Sequence, residues 1–254
     1  MDEIFEMKDV HLDGDAHVFN IELTAGLMEA VSEGILSRLG INKKSTIDQK
    51  IEKFLADAYS ATREAVKIKG MYRFVPVRGL KKDRVETSTG PIISTRFANM
   101  LKKSNGERHI LFSILTIGEY LETKFGQEKS IMKQTVVDTI GSQLIERATD
   151  QLEVSVQRAV NKLGMHSTAR FSPGYCDWSL SGEEVIFKCL SADQIGITLS
   201  EQFVMKPGKS ISGISVIAQE IPSSVPCTFC KKEYCPWKRN AGSKNNYRNK
   251  TRLL

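Results

Sequence analysis

The sequence predicts an α+β fold in which long helices cover a sheet of moderate size. Three observations carry that expectation. Residues 109–118, HILFSILTIG, form a continuous apolar run between polar flanks, as in a strand buried on both faces. From Ile131 to Leu152, apolar residues return every three or four positions, the period of a long helix with one buried stripe. Residues 195–220 read as two strands joined by the Pro207–Gly208 turn.

The remaining elements follow along the chain. Residues 17–23, HVFNIEL, suit a strand. Apolar spacing then turns helical from Thr24, Gly40 suits a helix stop, and Ser45 or Thr46 suits the cap of a second helix running to about Ile68. Residues 71–77, MYRFVPV, are β-rich, and Pro76 excludes a helix there. Residues 77–91 read as a polar loop punctuated by Gly and Pro, and residues 92–103 as a short helix. The long helix continues to about Leu163, with Gly164 as its stop. A turn-rich loop follows over residues 169–180, and then a short amphipathic helix, GEEVIFKCL, over residues 182–190.

The chain has 254 residues, 41% hydrophobic and 26% charged, ordinary values for a soluble domain with a full core. No apolar run reaches the roughly 20 residues of a membrane helix, and the acidic N-terminus has no apolar signal core. A cytoplasmic location without a membrane partner is therefore expected. The net charge of +6 is concentrated at one end: between Lys231 and Arg252 eight cations face one acid, and the remainder is near neutral. Such a tail suits an acidic protein surface, nucleic acid or plain solvent. A duplex reader would need a basic recognition element inside the fold, and the sequence offers none. Five cysteines, an odd number without an export signal, argue against structural disulfides.

The most specific stretch is Arg170-Phe171-Ser172-Pro173-Gly174-Tyr175. It sets a cation, a Pro-Gly bend and an aromatic hydroxyl close together. Arg can grip a carboxylate with two parallel donors. Gly admits backbone close to a ligand, and Tyr offers a ring face and a hydroxyl. Alone, the loop reads first as a tight turn with Tyr in the core and Arg in solvent. No residue is nominated as catalytic.

A second motif raises the specificity. Gly196, Leu199, Ser200, Glu201, Met205, Pro207, Ser210, Ile211, Ser212 and Gly213 follow the first loop after a short helix. This order, RxxPGY, helix, then a G-x-x-L-T-E-S-x-x-M-x-P-x-x-S-V-S-G-like segment, resembles the activation domain of cobalamin-dependent methionine synthase. The resemblance spans about residues 109–218 and leaves residues 1–70 outside it. It implies helices packed around a twisted antiparallel sheet, with S-adenosylmethionine in a shallow groove. It also implies that Arg170 binds the methionine carboxylate, that Ser172 offers its backbone, and that Tyr175 contacts the ligand. By alignment of IGSQLIERA, Glu146 takes the ligand amino group. Beyond the loop the chain departs from the family: Cys176-Asp177-Trp178 stands where an acidic-His-Thr stretch is usual, and resembles the free-standing form.

Three segments are expected: residues 1–70, a helical and candidate docking segment; residues 71–222, the activation-domain-like core; and residues 223–254, a flexible, cysteine-containing basic tail. The resemblance implies an accessory role in reductive methylation of cob(II)alamin. The cobalamin would be carried by a partner methionine synthase without its own activation domain, or by another corrinoid protein, and an electron donor would be needed. A binding module without catalytic role is the other class of reading. In the tail, Cys227-x2-Cys230-x4-Cys235 suits zinc or an iron–sulfur cluster, or stays as reduced thiols. A fourth ligand could come from Cys176, Cys189, His166 or another chain. Cys189 otherwise reads as a small core residue. His11 and His17, beside Asp13 and Asp15, suit a metal or a solvated loop.

Overall fold

A computed structural model describes residues 5–7, 10–38 and 49–221. In chain order these form β1 (His17–Ile21), α1 (Ala25–Arg38), α2 (Gln49–Ala65), β2 (Ile68–Pro76), β3 (Gly79–Leu80), β4 (Arg84–Thr87) and β5 (Gly90–Ile93). They continue with α3 (Thr95–Lys102), β6 (Asn105–Thr116), α4 (Tyr120–Phe125), α5 (Ile131–Asn161), β7 (His166–Ser167), α6 (Glu183–Leu190), β8 (Thr198–Leu199), β9 (Met205–Lys206) and β10 (Ser210–Glu220).

Five strands make the main sheet, ordered β1-β2-β6-β10-β7, with every pair antiparallel. β6 lies at its centre, pairing Phe112 with Arg73 on one side and Ile214 on the other. The sheet is covered on both faces, which is why its strands read as unbroken apolar runs rather than alternations. Leu111 and Leu115 face one core, with Leu144, Ala148 and Leu152 of α5 and Val31 and Ile35 of α1. Ile110, Phe112 and Ile114 face the other, with Phe97 and Leu101 of α3 and Ile186 and Leu190 of α6. Each fully buried side chain of this size contributes about 1.5–3 kcal/mol. The N-terminal segment shares the first core, since β1 extends the sheet and α1 packs on α5.

Four expectations about local structure are corrected. In place of the loop expected over residues 77–91, residues 79–93 form the antiparallel meander β3-β4-β5, whose strands of two to four residues are too short to show an alternation. The helix expected from Ile92 begins at Thr95, because Ile92 and Ile93 pair in β5 and the Ser94 hydroxyl caps α3 by accepting from the Phe97 N–H at 3.1 Å. The second helix ends at Ala65, and Ile68 already pairs with Ile21. The expected hairpin over residues 195–220 is a two-residue pairing of β8 with β9, and Pro207–Gly208 leads from β9 into the long β10. No helix among the described residues is long and apolar enough to cross a membrane.

Candidate functional site

The loop after β7 is fixed from two directions. Phe171 exchanges both backbone hydrogen bonds with Ile214, at 2.7 and 2.8 Å, so the loop docks on β10. Its ring stacks between Phe97 and Trp178, with centroids 5.7 and 5.5 Å away. Asp177 accepts from the Ser94 hydroxyl at 2.7 Å and from the Arg96 N–H at 3.1 Å, a carboxylate on the N-terminal turn of α3. Gly174, at φ +82°, takes the left-handed corner of the turn between these anchors.

Within this frame Arg170 lies over β10. Its Nε donates to the Ser172 hydroxyl at 3.2 Å, and that hydroxyl donates to the main-chain oxygen of Ser212 at 2.7 Å. Two carboxylates of α5 face the guanidinium. Glu146 Oε2 is 3.8 Å from one terminal nitrogen, and Glu153 Oε1 is 3.9 Å from the other. Neither separation is a hydrogen bond. The two terminal nitrogens are therefore held electrostatically and keep donor capacity for an incoming carboxylate. Glu153 also accepts from the Arg170 backbone N–H at 3.4 Å.

Burial separates the two acids. The Arg170 side chain is 11% exposed and Glu153 10%, whereas Glu146 is 51% exposed. Glu153 props the arginine from within, and Glu146 is reachable from outside. Behind Arg170 the space is only about 10 Å³, lined by Ser113, Thr149, Glu153 and Ser215, about the size of one water.

The structure thus brings Arg170, Ser172 and Glu146 together. Tyr175 stands on the same turn, with 51% of its surface exposed. Its carbonyl accepts from the Trp178 N–H at 3.1 Å, and its ring is open to solvent rather than buried in the core. The sequence reading missed Glu153. The available signal was its seven-residue spacing from Glu146, two turns along the same helix face. It also missed Glu183, on the opposite face of β10. That residue is 4% exposed, and the Ser212 hydroxyl lies 2.7 and 2.8 Å from its two carboxyl oxygens.

Burial pushes the Glu183 carboxyl up to about 7, against the lowering effect of the Ser212 hydrogen bond. The folded value lies above the ordinary 4.5. The stability contributed by the neutral acid is therefore complete below about pH 4.5 and is lost as pH rises to about 7. Glu183→Gln stays neutral and should flatten this part of the stability curve, by about 2 kcal/mol between pH 5 and pH 8. Urea unfolding at the two pH values checks it; a parent-like slope in the variant would contradict the assignment.

Cys227, Cys230 and Cys235, the expected metal ligands, lie outside the described residues. Among the described residues no group of three or more metal-ligating side chains is found. Cys176 is exposed and Cys189 buried. Burial pushes the Cys189 thiol up to about 11, with Arg73 and Thr89 opposing. His17 stacks on Tyr72 at 5.2 Å.

Among solved structures, the chain is similar to the crystal structure of the MetH reactivation domain bound to AdoHcy. The TM-score is 0.56, with 14% identity over 87% of this chain and 83% of that one. At this identity the likeness is one of fold: helices packed on a curled antiparallel sheet, the class that the sequence led us to expect. No family model and no curated protein matches the chain.

Proposed function

We propose that the chain binds S-adenosylmethionine by its methionine end, with Arg170, Ser172, Glu146 and Tyr175 as the contacts, and acts as a reactivation module. The observation that carries this reading is the Arg170 clasp. A guanidinium with spare donors sits between one buried and one exposed carboxylate, in a fold similar to one crystallised with AdoHcy. The donor set fits the ligand's charges. Arg170 matches the single carboxylate by bidentate hydrogen bonding. Glu146, open to solvent, matches the ammonium. Glu153 faces the other terminal nitrogen of Arg170 and accepts from its backbone N–H.

The chain's task in this reading is positioning. Arg170 and Glu146 fix the amino-acid end, Ser172 fixes Arg170, and the exposed Tyr175 ring offers a face for the rest of the ligand. Cobalamin carried by a partner would supply the methyl-accepting cobalt once a donor has delivered one electron, and S-adenosylhomocysteine would remain as product. The partner in this reading is a methionine synthase without its own activation domain. Zinc or an iron–sulfur cluster at the tail cysteines remains part of the proposal, to be decided by metal analysis of anaerobically purified protein.

The test is reconstitution. A cob(II)alamin-loaded synthase lacking its activation domain should regain methionine formation when this chain, S-adenosylmethionine and a low-potential reductant are supplied together. Recovery equal without the chain would overturn the proposal. Recovery only with a different corrinoid protein would move the role to that client.

A further inference from the structure

We propose that Glu183 is a positioning residue of the Arg170 site, acting from the far face of β10 through Ser212 and Ser172. The inference rests on the reading of the Arg170 clasp as the ligand site. A continuous chain of contacts supports it. The Glu183 carboxyl meets the Ser212 hydroxyl, the Ser212 main-chain oxygen accepts from the Ser172 hydroxyl at 2.7 Å, and that hydroxyl accepts from Arg170 Nε at 3.2 Å. Gly213 completes the link. A Cβ there would stand 2.4 Å from Arg170 Cγ, so the arginine stem rests directly on the residue next to Ser212.

The direction of the hydrogen bond sets which state of the acid holds Ser212 harder. The Ser212 oxygen lies within hydrogen-bond reach of both carboxyl oxygens, at 2.7 and 2.8 Å. A hydroxyl carries one hydrogen and can donate to one of them. In either contact the Ser212 hydroxyl is the donor and the carboxyl the acceptor, an arrangement that favours the charged form. The carboxylate therefore holds the Ser212 hydroxyl more tightly than the neutral acid does.

The surroundings give the carboxylate no compensation. α6 adds Glu184 and Lys188. β2 adds Arg73, which acts on Cys189 further along α6. β5 carries no charged residue, nor does β6 from Ile110 to Thr116 or β10 from Ser210 to Ala218. The loop adds Asp177, which is engaged by Ser94 and Arg96. Arg170 itself faces Glu146 and Glu153 of α5. Burial and Ser212 are the influences on the Glu183 proton, which burial holds up to about pH 7. Ionisation across neutral pH then tightens the bond to Ser212, and with it the clasp.

The test follows the Arg170 Nε–H resonance of the full chain by nitrogen-edited NMR between pH 5.5 and 8.5, in the wild type, Glu183→Gln and Ser212→Ala. S-adenosylhomocysteine is titrated in parallel at pH 6 and pH 8. The wild-type resonance should move with a midpoint near 7, and both variants should hold it still. Wild-type affinity should rise about fivefold from pH 6 to pH 8, the equivalent of one hydrogen bond, and Glu183→Gln should show no such rise. A resonance that is static in the wild type, or that titrates equally in Glu183→Gln, overturns the inference. If Glu183→Gln does not fold, Ser212→Ala carries the comparison. A resonance that titrates as described, with no S-adenosylhomocysteine bound at either pH, upholds the positioning role and removes the ligand reading.

Discussion

Phe112→Ala is expected to destabilise the fold by about 3–5 kcal/mol. Phe112 is at the middle of the central strand and is fully buried. It lies in the core with Phe97 and Leu101 of α3, Ile186 and Leu190 of α6, and Ile110 and Ile114 of its own strand. Its neighbours are fixed on both sides by strand pairing, so the space cannot collapse, and the lost transfer energy adds to a standing cavity. Urea unfolding gives the number. A loss under about 1 kcal/mol would mean that this face of β6 is not a packed core. The substitution should spare the opposite face, where Leu111 and Leu115 meet α5.

Gly213→Ala is expected to act on the site. The added Cβ would lie 2.4 Å from Arg170 Cγ, 2.7 Å from its Cδ and 2.9 Å from the Ser172 oxygen. The first two are the stem of the arginine rather than its mobile end, so the guanidinium must leave its place. Strand β10 has little freedom to yield, because Gly213 is paired with Ser113 of β6. Overpacking of this kind costs about 1–3 kcal/mol of stability. The larger effect falls on ligand affinity. A displaced Arg170 is lost as a carboxylate partner and crowds the approach, so binding of S-adenosylmethionine should weaken by at least the 30- to 150-fold expected for removing a charge-assisted contact. Calorimetric titration checks it. Parent-like affinity in a folded Gly213→Ala protein would detach Arg170 from the ligand.

Much of the framework was legible because its period was strong. The apolar run at residues 109–118 is the body of β6, the three-and-four spacing is α5, and GEEVIFKCL holds α6. β3, β4 and β5 escaped because their order comes from pairing across tight turns and not from side-chain alternation. The loop was legible as a cluster of unusual residue types, and Arg170, Ser172 and Glu146 do come together. The supports of that cluster were not legible. Glu153 looks like any helix carboxylate until Arg170 is laid against it from another element. Glu183 opens α6, where an acid is expected for its favourable interaction with the helix dipole and with water. Only the pairing that brings β10 beneath it reveals a buried acid on Ser212, 29 residues away in sequence.

The central claim is that Arg170 reads the carboxylate of S-adenosylmethionine, and a paired titration tests it most directly. S-adenosylmethionine and methylthioadenosine, which lacks both the carboxylate and the ammonium, are titrated calorimetrically into the wild type and into Arg170→Ala. The substitution should weaken S-adenosylmethionine binding by about 2–3 kcal/mol, or 30- to 150-fold, and leave methylthioadenosine unchanged. Equal affinity of wild type and variant for S-adenosylmethionine would contradict it, as would an equal loss for both ligands.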